Sequence, residues 1–211
     1  MYDLSYIHPG IRKIMGQDFI YSEAIERFGE LFRRAAEGPN QEPAAVTLAT
    51  ADADGHPSAR VVLLRRFDER GFVFFTNSRS RKGHDLEVNP QAALCFYWDF
   101  LGEQIRIEGK SEQVADEESD DYWLHRPRES RIGAWASRQS ERLDNRIALE
   151  AEIELIKQKY SNQEVPRPPH WYGYRVVPKR IEFWQEGAYR VHTRTIYQYS
   201  ADGWEKFSLY P

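Results

Sequence analysis

The chain reads as an α+β fold, mainly β, built around a closed antiparallel sheet. Five strand-like runs between residues 45 and 108 follow one another at short spacing, parted by turn signals such as Asp54-Gly55-His56-Pro57 and Asp68-Glu69-Arg70-Gly71. A helical stretch then intervenes, and strand-like runs resume near Trp171. Closure is expected because several short strands in an open sheet would leave edges exposed.

Taken in order, residues 22–38 predict a helix. Ser22 can cap it, Ile25, Phe28, Leu31, Phe32 and Ala35 form one apolar stripe, and Gly38-Pro39-Asn40 ends it. Strands are expected at 45–51, 60–64, 72–75, 92–98 and 104–108, with a short helix at 83–88 stopped by Pro90. Helices are expected at 115–125, 128–136 and 141–160, the first two parted at Arg126-Pro127. Arg167-Pro168-Pro169 leads back to strands at 171–177, 181–184 and 190–199, and the Asp202-Gly203 turn to a last one near 204–209. The expected organisation is one domain over 1–211. It comprises an N-terminal arm and helix (1–40), the first strands (42–110), a helical segment (115–160) and C-terminal strands (170–211).

Composition narrows the function. With 41% hydrophobic and 29% charged residues the chain is globular rather than disordered. Its single cysteine, Cys95, lies in an apolar run and reads as a buried core thiol, with no disulfide and no cysteine metal site. No basic-then-apolar start suggests a signal peptide and no run approaches the ~18 apolar residues of a membrane span, so a cytoplasmic protein is expected. A net charge of −4 argues against nucleic-acid binding. From Arg60 to Lys82, however, seven basic residues face only Asp68 and Glu69. Such a cluster suits a small anionic ligand, or else a solvated basic face.

Three constellations could carry chemistry. If 190–199 is a strand, Arg190, His192 and Arg194 share one face and repel one another unless an anion or π-system covers them. Asn77-Ser78-Arg79-Ser80-Arg81-Lys82 leads into a short helix, where hydroxyls, cations and free backbone N–H groups make an anion site. In 122–130, Tyr122 and Arg126 are four apart, and Ser130 falls near the start of the helix that Pro127 can open. The acidic run 116–121 reads as a solvated helix face. The histidines lack metal-ligand spacing, so no metal is expected, and no Gly-x-Ser-x-Gly, Walker or Gly-x-Gly-x-x-Gly pattern occurs.

Together these segments resemble the pyridoxamine 5'-phosphate oxidase family from about Glu42 to the C-terminus. The residues that carry the likeness are Arg60-Val61-Val62-Leu63-Leu64-Arg65, Phe74-Phe75-Thr76-Asn77, Ser80-Arg81-Lys82 and Gln104-Ile105-Arg106-Ile107-Glu108-Gly109. Further on come Arg126-Pro127-Arg128-Glu129-Ser130, Gln139-Ser140, Pro168-Pro169-His170-Trp171, Ile181-Glu182-Phe183-Trp184-Gln185 and Arg190-Val191-His192.

The resemblance implies an FMN-binding split β-barrel, antiparallel and Greek-key-like, with flanking helices. It implies a homodimer with two flavin mononucleotides (FMN) in clefts between subunits. Position by position, FMN would be held by Arg60, Arg65, Phe75, Thr76, Arg81, Lys82, Gln104, Gln139, Ser140, Trp184 and Arg194. The substrate would meet Arg12, Arg65, Tyr122, Arg126 and Ser130, with Arg190 and His192 as catalytic residues against its pyridine ring. The implied reaction oxidises pyridoxine or pyridoxamine 5'-phosphate to pyridoxal 5'-phosphate, with O2 as acceptor and hydrogen peroxide as product. The alternatives are an FMN oxidase of another reduced aromatic ring, as in phenazine pathways, and a non-catalytic binder of flavin or B6 phosphate.

Three features depart from the family pattern. Arg65 stands where a Lys is usual, Arg12-Lys13-Ile14-Met15 lacks the usual Tyr, and the chain closes on Ser208-Leu209-Tyr210-Pro211 rather than Arg-Leu-x-Pro. Strand alternation also puts Arg60 and Arg65 on opposite faces, so a common site requires a bulge or an interfacial cofactor.

Overall fold

In the computed structural model, which describes residues 18–38 and 42–211, a helix lies over a strongly curved antiparallel sheet. The elements are α1 (Asp18–Ala36), β1 (Ala45–Ala51), β2 (Pro57–Asp68), β3 (Gly71–Asn77), α2 (Arg81–Val88), β4 (Gln91–Trp98) and β5 (Glu103–Gln113). After them come α3 (Asp116–Leu124), α4 (Arg128–Ala136), α5 (Arg146–Lys159), β6 (Trp171–Gln185), β7 (Thr193–Ser200) and β8 (Gly203–Leu209). The sheet order is β3-β2-β1-β4-β5-β6-β7-β8, and a further β3–β6 pairing closes β1 to β6 into a six-stranded barrel. β4 returns beside β1 after the β1-β2-β3 meander, which is a Greek key. The expected mainly-β, closed antiparallel architecture is what forms.

Strand alternation fills the barrel. Val46, Leu48, Leu64, Phe72, Phe74, Leu94, Phe96, Ile105, Ile107, Val176, Ile181 and Phe183 are all buried in one core. From above, α1 inserts Phe28, whose ring meets Phe67, Phe72 and Phe96 edge-on at 4.8–5.2 Å. Each such ring contributes roughly 1.5–3 kcal/mol by leaving water. A second cluster, Trp123, Ile132, Tyr160, Val165 and Trp171, ties α3, α4 and α5 to the start of β6. No helix among the described residues is long and apolar enough to cross a membrane.

Several boundaries differ from expectation. α1 begins before Ser22, which therefore sits inside the helix rather than capping it. α2 starts at Arg81 because Ser80 is its N-cap, so Arg81 and Lys82 form its first turn. α5 starts at Arg146, since the Asn145 side chain accepts from the Ala148 N–H and sets the end there. The runs 171–177 and 181–184 are one strand, with Pro178 opposite the register shift between Glu108 and Gly109. Cys95 is half-buried rather than in the core. Its register partner Arg106 lies on the outer face of the barrel, and burial pushes the thiol pKa up.

Candidate active site

The cavity forms where the barrel splits. β2 pairs with β1 through residues 57–63 but with β3 from Leu64 onward, while the end of β3 pairs with β6. β2 and β3 thus diverge, and a cavity of about 560 Å³ opens between them. Residues 58–63 and Arg65 line it from β2, Phe75 and Thr76 from β3, and Arg81 and Lys82 from α2. Tyr122, Arg126, Gln139 and Ser140 complete the wall. The β2–β3 register shifts between Leu64 and Arg66, so Leu64 and Phe67 are both buried, which an unbroken strand would forbid. Arg60 and Arg65 reach the same cavity on a bulged strand.

One side of the cavity is an anion site by construction. Ser80 caps α2, and the chain turns so tightly there that a Cβ on Gly83 would lie 2.0 Å from the Ser78 carbonyl oxygen. The N–H groups of the first turn, Arg81 and Lys82 therefore share one helix end. Lys82 is 8% exposed and donates from Nζ to Gln139 Oε1 (3.0 Å), Thr76 Oγ1 (3.2 Å) and Ser80 Oγ (3.2 Å). Burial, and then the neighbouring Arg60 charge, push its pKa down from 10.5 to about 8 against the pull of Asp85. Arg60 is held from behind: it donates to Thr50 Oγ1 (2.7 Å) and Ser58 Oγ (2.8 Å) and lies 3.7 Å from the buried Asp85 carboxylate. Asp85 in turn accepts from the Thr50 hydroxyl at 2.6 Å.

Arg65, Tyr122 and Arg126 form a second basic group. Burial holds the Arg126 pKa below the usual guanidinium value against the pull of Tyr122, and Arg65 pushes it the same way as burial. Tyr122 stacks on Phe75 at 4.1 Å. Tyr122 and Arg126, four apart, come together as expected, though not on one helix: α3 stops at Leu124 and Arg126 lies in the turn beyond it. Pro127 then opens α4, as expected. Ser130 lines an adjoining cavity of about 320 Å³ that shares Phe75, Thr76, Arg126 and Gln139 with the first.

The other expected residues lie apart. Gln104, Trp184 and Arg194 are register neighbours across β5, β6 and β7, forming a row on the outer face that lines neither cavity. Arg194 is braced by the buried Glu182 (Nε–Oε1 2.7 Å); burial works against that carboxylate, yet Arg194, Arg106 and Arg180 hold its pKa below the usual range. Arg190 and His192 do not belong to β7, which begins at Thr193, so the shared strand face expected for Arg190, His192 and Arg194 does not exist. Instead Tyr189 (φ 57°) and Arg190 (φ 65°) are left-handed in a short 3-10 turn. His192 packs on the Trp184 ring at 4.5 Å, and its Nδ1 accepts from the Gly187 N–H at 3.2 Å. Arg12 lies outside the described residues.

Sequence reasoning passed over Asp85, Thr50 and Glu182, which position the arginines. Asp85 had a signal: it follows Lys82 by three and precedes Leu86 on the buried face of α2. Thr50 had none, and Glu182 only its place in the 181–185 motif, since each matters through a strand register that sequence does not supply.

Residues 33–160 match the pyridoxamine 5'-phosphate oxidase family, and 171–211 match the pyridoxine 5'-phosphate oxidase C-terminal dimerisation region. A pyridoxine/pyridoxamine 5'-phosphate oxidase of Myxococcus xanthus is 53% identical over 189 residues, covering 90% of this chain and 92% of that protein. Its counterpart in Anaeromyxobacter dehalogenans is 51% identical, covering 90% and 96%. Among solved structures, PhzG of Burkholderia lata, in complex with tetrahydrophenazine-1-carboxylic acid, superimposes with a TM-score of 0.84 at 34% identity, covering 89% of this chain and 92% of PhzG. With two family regions spanning most of its length and relatives this near, the chain belongs to the pyridoxamine 5'-phosphate oxidase family of oxidoreductases.

Proposed function

We propose that this protein oxidises the 4' carbon of pyridoxine or pyridoxamine 5'-phosphate to the aldehyde, using FMN and O2 and releasing hydrogen peroxide. The observation that carries this reading is the charge of the cavity. Arg60, Arg65, Arg81, Lys82 and Arg126 line it, and among the described residues no Asp or Glu does. Both substrate and cofactor are phosphate esters, and two basic groups in one cleft suit two phosphates.

The residues present fit FMN. Lys82, Arg81, Arg60 and Ser140 would take its phosphate at the α2 end, and Phe75, Thr76 and Gln139 would border the rest. Burial and the Arg60 charge hold the Lys82 pKa down, and a bound phosphate would offset both. Bound flavin supplies the two-electron chemistry between the substrate carbon and O2. Arg65, Arg126, Tyr122 and Ser130 would bind the substrate phosphate and so fix where the 4' carbon lies. His192, accepting at Nδ1, is left with Nε2 as the atom that can donate to a ring substituent.

The remaining residues support a homodimer. Among the described residues Gln104, Trp184, Arg190, His192 and Arg194 line neither of the two cavities that hold the basic groups, and they lie in or beside strands that match a dimerisation region. The outer face that carries the Gln104 row also exposes Tyr97 and Val61, 58% and 65% open to solvent. In this reading Gln104, Trp184 and Arg194 reach the FMN of the other subunit.

Anaerobic addition of pyridoxine 5'-phosphate to the purified flavoprotein is expected to bleach the visible flavin band, and air to restore it with peroxide release. A band that neither B6 phosphate bleaches would overturn the reading. FMN affinity should also depend on pH with a definite sign. Charged Lys82 favours phosphate, so affinity holds up to about pH 8 and falls roughly ten-fold per unit above it as the ammonium loses its proton. Fluorescence titration of apoprotein between pH 7 and 9.5 measures this, and a flat profile counts against Lys82 at the phosphate.

The likeness to PhzG favours a second reading, oxidation of a reduced tricyclic carboxylate. Arg65 separates the two. Under the B6 reading Arg65→Met removes a charge-assisted hydrogen bond and raises KM for pyridoxine 5'-phosphate roughly ten- to a hundred-fold, while Arg65→Lys stays active. An unchanged KM in Arg65→Met moves the assignment to the second reading.

A further inference from the structure

We propose that Trp171, backed by Trp123, is the positioning residue that holds the Arg126 guanidinium ready for the substrate phosphate. The inference rests on the reading of the cavity just given.

Arg126 carries its charge into a place where no acid answers it. Among the described residues no carboxylate lies within ion-pair distance of it, and its Nε is buried without a hydrogen-bond acceptor. A long side chain in that position would ordinarily carry its head out to water. The Tyr122 hydroxyl reaches it, and two indoles face it. Arg126 Cζ lies 4.8 Å from the Trp171 ring centroid and 5.8 Å from that of Trp123. Indole presents the most electron-rich face of the natural side chains to a cation.

The platform is rigid. Trp171 is 4% exposed at the start of β6, where its N–H donates to the Pro168 carbonyl (3.0 Å) and its own carbonyl accepts from Arg167 (2.9 Å). Its ring lies parallel to Phe75 (5.3 Å, 8°) and Tyr122 (5.9 Å, 5°), both of them cavity walls. Trp123 meets it edge-on at 4.9 Å and is pinned by its indole N–H donating to the Val165 carbonyl at 2.8 Å. These plates fix Arg126 where it lines both cavities. A phosphate then meets a cation whose ordering cost has already been met. Trp171 acts through Arg126, so its loss should affect only ligands that carry the phosphate.

The test uses the holoenzyme with Trp171→Leu, Trp171→Phe and Arg126→Met. The dissociation constants of pyridoxal 5'-phosphate and of pyridoxal are read by absorbance titration, with KM and kcat for pyridoxine 5'-phosphate. Trp171→Leu is expected to weaken the phosphate ester about ten- to thirty-fold, raise KM more than it lowers kcat, and leave pyridoxal within about two-fold. Trp171→Phe keeps an aromatic face and should recover all but a few-fold of the loss. It carries the test alone if the leucine variant does not fold.

Equal losses for both ligands, or none for the ester, would reduce Trp171 to packing and overturn the inference. If Arg126→Met collapses the preference for the ester while the Trp171 variants keep it, only this inference fails. If Arg126→Met itself keeps the preference, the phosphate assignment of the cavity fails and takes the inference with it.

Discussion

Lys82→Met is expected to weaken FMN binding about a hundred-fold while leaving riboflavin, which lacks the phosphate, within about two-fold of wild type. Lys82 is buried among Thr76, Ser80 and Gln139, so its ammonium meets a ligand with little water between. One or two charge-assisted hydrogen bonds, at about 1.5–3 kcal/mol each, account for that factor. Methionine keeps the length of the stem and fills the buried space, which separates loss of charge from loss of packing. Flavin fluorescence titration of the apoprotein measures both constants. Equal losses for the two flavins would remove Lys82 from the phosphate site.

Arg190→Ala should lower kcat/KM about a hundred- to a thousand-fold with FMN retained. Arg190 and Tyr189 hold consecutive left-handed conformations, each costing of order 1 kcal/mol in a residue with a Cβ, on a turn exposed to solvent. The chain is led into that turn by Gly187, where a Cβ would lie 1.9 Å from the Val191 carbonyl oxygen. Strain retained at an exposed arginine fits a residue whose aim matters, and a displacement of about 1 Å can cost a hundred-fold in rate. Arg190→Gly relaxes the backbone while also removing the guanidinium, so equal losses in the two variants assign the effect to the side chain.

The same pair of variants tests the shared site. Assayed at an FMN concentration that fills only wild-type sites, Lys82→Met and Arg190→Ala subunits, each nearly inactive alone, should regain roughly a quarter of wild-type turnover after mixed refolding. Half the dimers are then mixed, and each of those has one intact site. No recovery would place both groups in one subunit.

How far the fold could be read depended on what each strand pairs with. β1 matched its apolar run end to end because alternate residues face a single core. β2 and β6 run well beyond theirs because each changes partners along its length, β2 from β1 to β3 and β6 from β3 to β7. The face expected for Arg190, His192 and Arg194 failed for a local reason: two left-handed residues break the alternation of an extended strand. The cavity was more legible, since ten of the expected side chains, from Arg60 to Ser140, line it. Their meeting depends on the divergence of β2 and β3 and on the slip beside Arg65, which no motif encodes. Residues expected with them on β5 to β7 lie elsewhere, because a single chain's pattern carries no record of which subunit a side chain serves.

Closing the barrel through β3–β6 leaves β8 as the terminal strand of the sheet, with its outer backbone row unpaired among the described residues. Such a row is a template on which another chain could polymerise. Here it is short, seven residues, and carries the exposed charges Glu205 and Lys206, with Pro211 two residues beyond its end. A strand added there would have to set its own side chains against a charged pair and stop at a residue with no N–H to give. The charged pair and the proline thus oppose the edge-to-edge stacking of one copy on another.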